Sequence, residues 1–144
     1  MNTISSILAR KGTDTISVSP ETTVLDALRI MAERNIGSVL VLKNGKYLGL
    51  VSERDYSRKV VLKGKHSDDT TVEEIMSSDL PSVTPKDSVE HCMSLMTKNN
   101  IRYIPVFENE QLAGLISMSD VVRETILSQK ETISHLESYI HSQA

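Results

Sequence analysis

The chain has 144 residues, 39% of them apolar, enough to bury the core of one ordinary domain or of two very small ones. The net charge is −3 with both signs interspersed, and only 3% of the residues are aromatic, which disfavours a nucleic-acid binder with a basic stripe or stacking platform. No apolar run approaches the ~20 residues that span a bilayer, so we expect no membrane contact. No signal peptide pattern opens the chain, and Cys92 is its single cysteine. We therefore expect a cytoplasmic protein.

A short strand followed by a helix is the first pair of elements that the sequence predicts clearly. The strand falls at Ser17–Val18, and the helix runs from about Val24 to Asn35 with Thr22 or Thr23 as its N-cap. Spacings of four and three place the apolar side chains on one helix face, at Val24, Leu28 and Met31.

A β-hairpin and a second helix come next. The apolar runs Val39–Leu42 and Tyr47–Val51 flank Asn44-Gly45, which is a strong signal for a two-residue turn. A second helix begins at about Glu53. The pattern is therefore β-α-β-β-α, and its fully apolar strands indicate sheets that are covered on both faces.

The whole pattern then returns at a constant offset of 65 residues (17 to 82, 55 to 120). The clearest matches are Ser17–Pro20 with Ser82–Pro85, Gly49–Ser52 with Gly114–Ser117, and Asp55 with Asp120. Such regularity indicates an internal duplication. We therefore expect an α/β (α+β) fold of two repeats related by a pseudo-twofold axis.

The boundary between the repeats is predicted in the polar linker Val60–Thr71. Residues 1–66 form repeat one, with a short helix at Ile4–Leu8, and residues 67–144 form repeat two, in which Val72–Met76 is the corresponding helix.

The last predicted helix, Val122 to Ile140, has an apolar residue every seven positions. These residues are Ile126, Ile133 and Ile140, with Leu136 between them. The helix lies either on its own domain or at the seam of a homodimer, and fewer than three heptads leave both interpretations open.

The sequence does not group residues suited to catalysis. The glycines form neither a GxxxxGK nor a GxGxxG phosphate loop, and no two histidines have the i, i+4 spacing of a metal pair. Cys92 matches Ala27 of repeat one, which predicts a small buried residue, and it has no evident partner base. We expect no enzyme activity, no catalytic residue and no metal.

Gly-x-x-Ser-x-x-Asp is the informative motif and occurs twice, as Gly49, Ser52 and Asp55 and as Gly114, Ser117 and Asp120. At a strand-to-helix junction it allows two interpretations. The serine can cap the helix while the aspartate lies in its first turn. Alternatively, the helix N-terminus and the serine can bind a phosphate while the aspartate accepts hydrogen bonds from a ribose diol.

The duplicated pattern resembles the CBS domain family, and nearly the whole chain resembles a tandem CBS pair, or Bateman module. The residues that carry the resemblance are Val18–Pro20, Ile36–Val39, Gly49–Asp55, Val83–Pro85, Ile101–Val106 and Gly114–Asp120. The stretch Ser52–Tyr56 is also similar to small stand-alone bacterial members of the family.

The resemblance implies a non-enzymatic regulatory module that binds an adenine compound. The compounds it implies are AMP, ADP, ATP, NAD or S-adenosylmethionine, bound by a homodimer that acts on an unidentified effector protein. A purely structural dimerisation module without bound nucleotide is the alternative.

The resemblance also implies two composite clefts between the repeats. Ser117 and Asp120 would face residues of repeat one, namely Thr15, Ile16, Gly37 and Ser38. Ser52 and Asp55 would face residues of repeat two, namely Ser82, Val83, Ile101 and Tyr103. Arg102 and Arg54 would approach phosphates, while Lys59 is expected on a solvated helix face. Because Gly37 matches Arg102, and Leu40 matches Pro105, we expect two unequal sites.

Overall fold

The computed structural model describes residues 2–143, and the side chains of residues 2–141. Within that range the elements follow in this order: α1 (Ile4–Lys11), β1 (Ser17–Val18), α2 (Val24–Arg34), β2 (Ser38–Lys43), β3 (Lys46–Ser52), α3 (Glu53–Lys59), a 3₁₀ turn (Val61–Lys63), α4 (Val72–Ile75), α5 (Val89–Asn99), β4 (Tyr103–Glu108), β5 (Gln111–Ser117) and α6 (Met118–Gln143). The predicted mixed α/β class is confirmed.

One compact unit, the repeat-one unit, comprises Asp14–Leu80. Its sheet has the order β1-β2-β3, with β1 parallel to β2 and β3 antiparallel to β2. The turn at Asn44-Gly45 has positive φ at both residues, as a tight hairpin of this twist requires. The side chains of both strand faces are buried, as the apolar runs predicted: Val39, Leu40, Val41 and Val51.

The second compact unit, the repeat-two unit, comprises Met1–Thr13 and Pro81–Ala144. Here β4 and β5 form the hairpin, but the first strand is reduced to one parallel bridge between Val83 and Val106. In repeat one, the amide of Leu40 donates to the carbonyl of Ile16 over 3.0 Å. Pro105 stands at the position of Leu40 and has no N–H to donate. The expectation of equal first strands in both repeats is therefore corrected.

The short helix before each repeat packs into the unit of the other repeat. Ile4 and Ile7 of α1 are buried in the repeat-two core, and the Ile4 amide donates to Asp87 O over 2.9 Å. Val72 and Ile75 of α4 are buried in the repeat-one core. The compact units thus differ from the predicted domains, residues 1–66 and 67–144. A sequence repeat reveals duplication, but it does not show which core an amphipathic helix covers.

Helix α6 packs only its first turns into the repeat-two core. Val121 is 1% exposed and Glu124 is 2% exposed, whereas the heptad residues are between 46% and 64% exposed: Ile126, Ile133, Leu136 and Ile140. The interpretation of a helix lying on its own domain is therefore wrong for the distal part of α6.

Candidate functional site

The first Ser-x-x-Asp junction lies where β3 meets α3. Ser52 Oγ accepts a hydrogen bond from the Asp55 amide (3.2 Å), and Asp55 Oδ2 accepts one from the Ser52 amide (2.9 Å). Ser52 is thus the N-cap of α3 in a reciprocal capping box. The capping interpretation is confirmed here, and Asp55 is buried.

The cation at this first junction comes from α3 itself. Lys59 Nζ lies 3.0 Å from Asp55 Oδ1, four residues further along the helix. It also donates to the carbonyl of Ile75 over 2.9 Å. The Lys59 side chain is 42% exposed, in keeping with a solvated helix face, while its ammonium group joins α3 to the end of α4.

The second junction, where β5 meets α6, repeats the cap but uses a different cation. Ser117 Oγ accepts from the Asp120 amide (3.1 Å), and Asp120 Oδ2 accepts from the Ser117 amide (2.8 Å). Lys11 Nζ, at the end of α1, donates to the same Oδ2 over 2.7 Å and to the carbonyl of Leu115 over 2.8 Å. Arg123 makes a longer contact of 3.4 Å with Oδ1. The carboxylate is therefore held by two helices.

The environment of Asp120 keeps its carboxyl group ionised. Burial alone would raise the pKa of Asp120, but the hydrogen bonds from Lys11 and from the Ser117 amide outweigh it and hold the pKa below its usual value. At neutral pH the group is acceptor-only, as a partner for hydroxyl donors must be.

A second buried carboxylate, that of Glu124, lies one turn beyond Asp120. Arg10 Nε is 2.9 Å from Glu124 Oε1, and Asn2 Nδ2 donates to Oε2 over 2.9 Å. Our sequence reasoning missed Arg10, Lys11 and Glu124. A signal was present: the fourth residue after the aspartate is Lys59 in repeat one but Glu124 in repeat two. Like charges at i, i+4 repel, so the second junction needs cations from elsewhere.

The glycines of the motif are required by packing. A Cβ on Gly49 would lie 2.8 Å from the backbone oxygen of Ser77, and a Cβ on Gly114 would lie 2.8 Å from Leu8 Cδ2. Gly49 therefore lets the segment after α4 approach the edge strand β3, and Gly114 lets α1 approach the edge strand β5. This role is independent of any ligand.

Within each unit, the start of the second strand lies beside the junction of the same repeat. Ser38 pairs with Ser52 and Tyr103 with Ser117 in the strand registers. Gly37 O accepts from the Glu53 amide (3.1 Å), and Arg102 O accepts from the Met118 amide (2.8 Å).

The remaining predicted residues have varied exposure. Val83 is buried in the repeat-two core, Ser82 and Arg102 are exposed, and the rest are half-buried: Thr15, Ile16, Arg54 and Ile101. That each junction is completed by residues of the other repeat stays a prediction.

The chain belongs to the CBS domain family, whose sequence model matches residues 5–61 and again residues 72–126. It is therefore a tandem CBS-pair protein, a class of regulatory and signal-transduction modules. The fold is shared with a candidate signal-transduction protein with CBS domains from Burkholderia ambifaria MC40-6, at 41% identity and a TM-score of 0.86 over 89% of this chain and 96% of that one.

Curated relatives agree with this membership. The chain is 36% identical to the mitochondrial CBS domain-containing protein CBSX3 of Arabidopsis thaliana, over 96% of this chain and 71% of that protein. It is 29% identical to the CBS domain-containing protein YhcV of Bacillus subtilis, over 92% of this chain and 97% of that one.

Neither a membrane span nor a metal centre is found among the described residues. Among residues 2–143 no helix combines the length and apolarity that a membrane span needs. In the same part of the chain, no three histidine, cysteine, aspartate or glutamate side chains come together as metal ligands.

Cys92 is buried, and burial, followed by the nearby charge of Asp87, raises the pKa of its thiol to about 11. The thiol is thus a core group, as predicted from its match to Ala27.

Proposed function

We propose that this CBS pair is a non-enzymatic sensor that binds an adenine nucleotide through the aspartates of its two Ser-x-x-Asp junctions. The supporting observation is that both junctions hold a largely buried carboxylate, each about 8% exposed, at the N-terminus of a helix. A carboxylate accepts two hydroxyl donors at once, which suits the diol of a ribose.

The proposal extends to AMP, ADP, ATP and NAD as ligands, with S-adenosylmethionine as an alternative that shares the ribose. Arg54 and Arg102 are the residues proposed near phosphates. The module would alter a separate effector protein by binding its ligand with different affinities in two conformations.

Ligand binding is tested by calorimetric titration of each adenine compound into wild type, Asp55→Ala and Asp120→Ala. Each substitution should weaken binding by about 1.5–3 kcal/mol, the range for hydrogen bonds to a charged group. Asp26→Ala is the matched control, because Asp26 also lies in a first turn and donates its amide to a capping side chain, that of Thr23 (3.2 Å). Unchanged affinity in both junction variants would refute the proposal.

The structural alternative is separated by thermal unfolding. A compound at about 100 times its Kd should stabilise the fold by about 2.7 kcal/mol. If none of the five compounds changes the unfolding temperature, the chain is a dimerisation module without a nucleotide. Recovery of the compound intact after long incubation would support the non-enzymatic assignment.

We also propose that the module self-associates through α6. A stripe with heptad spacing can pair with an identical stripe of a second copy, and the exposed isoleucines of α6 have that spacing. Sedimentation analysis should show a dimer that Ile133→Lys dissociates. Ser134→Lys, an exposed neighbour on the same helix, should leave it intact. A wild-type monomer across the accessible concentrations would contradict the proposal.

A further inference from the structure

We propose that Lys11 is an internal competitor for Asp120, so that a ligand reaching this carboxylate displaces Lys11 and loosens the C-terminal end of α1. The inference rests on the proposed function, since it needs a hydroxyl-bearing ligand at Asp120. It identifies α1 as the element that reports occupancy of the repeat-two site.

The hydrogen bonds of Asp120 leave little room for an added diol. A carboxylate offers about four lone-pair positions. Oδ2 already accepts from the Ser117 amide and from Lys11 Nζ, and Oδ1 accepts a 3.4 Å contact from Arg123. The Ser117 amide is fixed by the cap of α6. A ribose diol that spans the carboxylate places one hydroxyl on each oxygen, and Oδ2 has a position for its hydroxyl only if Lys11 gives one up.

Lys11 is placed so that it can leave. Its side chain is about one-third exposed (33%), so the ammonium group has water within reach. It is the last residue of α1, and Gly12 follows with φ of 89° and no atom within 4 Å of a Cβ position. The Gly12 amide closes the helix on Leu8 O at 2.8 Å.

The rest of α1 is anchored, which confines the change to its last turn. Ile4, Ile7 and Leu8 are buried in the repeat-two core. Arg10 lies 2.9 Å from the buried Glu124. Release of Lys11 therefore frees the end of the helix and the segment that follows it, while the helix stays docked.

The first junction is linked differently. Its cation, Lys59, lies on the same helix as Asp55 and donates to the carbonyl of Ile75 at the end of α4 over 2.9 Å, so its displacement would not act on α1. The strand carbonyl that Lys11 binds in repeat two, Leu115 O, corresponds to Leu50 O, which accepts from the Ser77 amide over 2.9 Å. Ser77, whose backbone is fixed by this pairing, also donates its Oγ to Asp55 Oδ1 over 3.5 Å, so the described residues bring this carboxylate a hydroxyl from the segment after α4 where Asp120 has a lysine of α1.

The test compares Lys11→Met with Lys59→Met, which remove the two cations but keep their aliphatic stems. AMP and ATP are titrated into each variant and into wild type. We expect Lys11→Met to tighten binding at one site by roughly two- to fivefold, which corresponds to the free energy of a partly exposed ion pair. Lys59→Met should leave the rate of amide hydrogen exchange in α1 unchanged.

Hydrogen exchange provides the second readout. Saturating AMP should accelerate exchange of the Lys11 and Gly12 amides in wild type, and it should produce no such change in Lys11→Met, where those amides already exchange fast. Thermal unfolding checks that both variants are folded, and Lys11→Gln serves as a second uncharged variant.

The outcomes separate the two proposals. If AMP or ATP binds in an Asp120-dependent way but Lys11→Met and Lys11→Gln bind equally or more weakly, the inference is overturned and the proposed function stands. If none of the five adenine compounds binds wild type or the lysine variants, both proposals fall. Binding by the Lys11 variants alone would support the competition.

Discussion

The junction of β3 with α3 and the junction of β5 with α6 have the same Ser-x-x-Asp sequence and the same capping hydrogen bonds. Their carboxylates differ in the source of the neutralising cation. Asp55 pairs with Lys59 of its own helix, while Asp120 pairs with Lys11, more than 100 residues away in the chain. The contrast shows that a local motif fixes a cap, whereas the charge balance around it depends on what packs nearby.

The short helices α1 and α4, each of which packs into the unit of the other repeat, account for this difference. α1 has eight residues and α4 has four. The longer α1 extends its last turn, with Arg10 and Lys11, to Glu124 and Asp120. The chain after α4 instead bridges the edge strand at Ser77. Helix length therefore decides whether side-chain or backbone groups cover each edge strand.

The largest expected effect concerns the glycine of each motif. Gly49→Ala should destabilise the fold by about 3 kcal/mol, the upper end for overpacking, because its Cβ would press on the backbone oxygen of Ser77. Gly114→Ala should cost about 1 kcal/mol, since the clashing atom is the end of the flexible Leu8 side chain. Urea unfolding of both variants measures the difference. Equal losses would show that the two edge strands are covered in the same way.

A smaller effect is expected from the charge of Asp120. Asp120→Asn removes the charge that accepts hydrogen bonds from Lys11 and from the Ser117 amide, and it should cost about 2 kcal/mol near neutral pH. Because the folded-state pKa lies below the unfolded value of about 3.9, the ionised group stabilises the fold above that value. The contribution is lost as the pH falls through the lower folded-state pKa.

Urea unfolding at several pH values tests this prediction. The stability difference between wild type and Asp120→Asn should be constant above about pH 5 and should shrink below about pH 4. Asp55→Asn is the matched control for the other junction. A difference that persists unchanged into strong acid would mean that Asp120 acts by packing and not by charge.

The smallest expected effect concerns the two hairpin turns. Glu110 has φ of 66°, and Gly45 has φ of 78° at the matching position. A left-handed conformation costs a residue with a Cβ roughly 1–2 kcal/mol relative to glycine. Glu110→Gly should therefore stabilise the fold by about 1 kcal/mol in a thermal or urea titration, and Gly45→Glu should destabilise it. A loss of stability in Glu110→Gly would indicate that the glutamate side chain supports the turn.

Much of the fold was predictable because its signals are local. The helix around Val24 to Asn35 ends at residue 34 with Asn35 in the left-handed region, and Thr23 is its cap. The Asn44-Gly45 hairpin and the heptad spacing of α6 are local patterns too. The loss of the first strand in repeat two also had a local cause, since Pro105 carries no amide hydrogen.

The candidate site was only half predictable. Both aspartates and both capping serines follow from the repeated motif. Arg10, Lys11 and Glu124 could not be grouped from the sequence, because they are brought together by the packing of α1 against α6. Lys59 and Glu124 occupy matching positions in the two repeats and carry opposite charges. This difference indicated that Asp120 needs a cation from another element, but it did not indicate which element supplies it.

The sequence by itself determined that this protein is a duplicated β-α-β-β-α chain with two capped Ser-x-x-Asp junctions, because periodicity, turn chemistry and caps act over a few residues. Only the tertiary structure decided that each short helix completes the unit of the other repeat, and that Asp120 depends on a lysine from the start of the chain. Hydrophobic burial is non-directional, so an amphipathic helix can cover either of two similar cores. The cations it carries then join the site to which it packs.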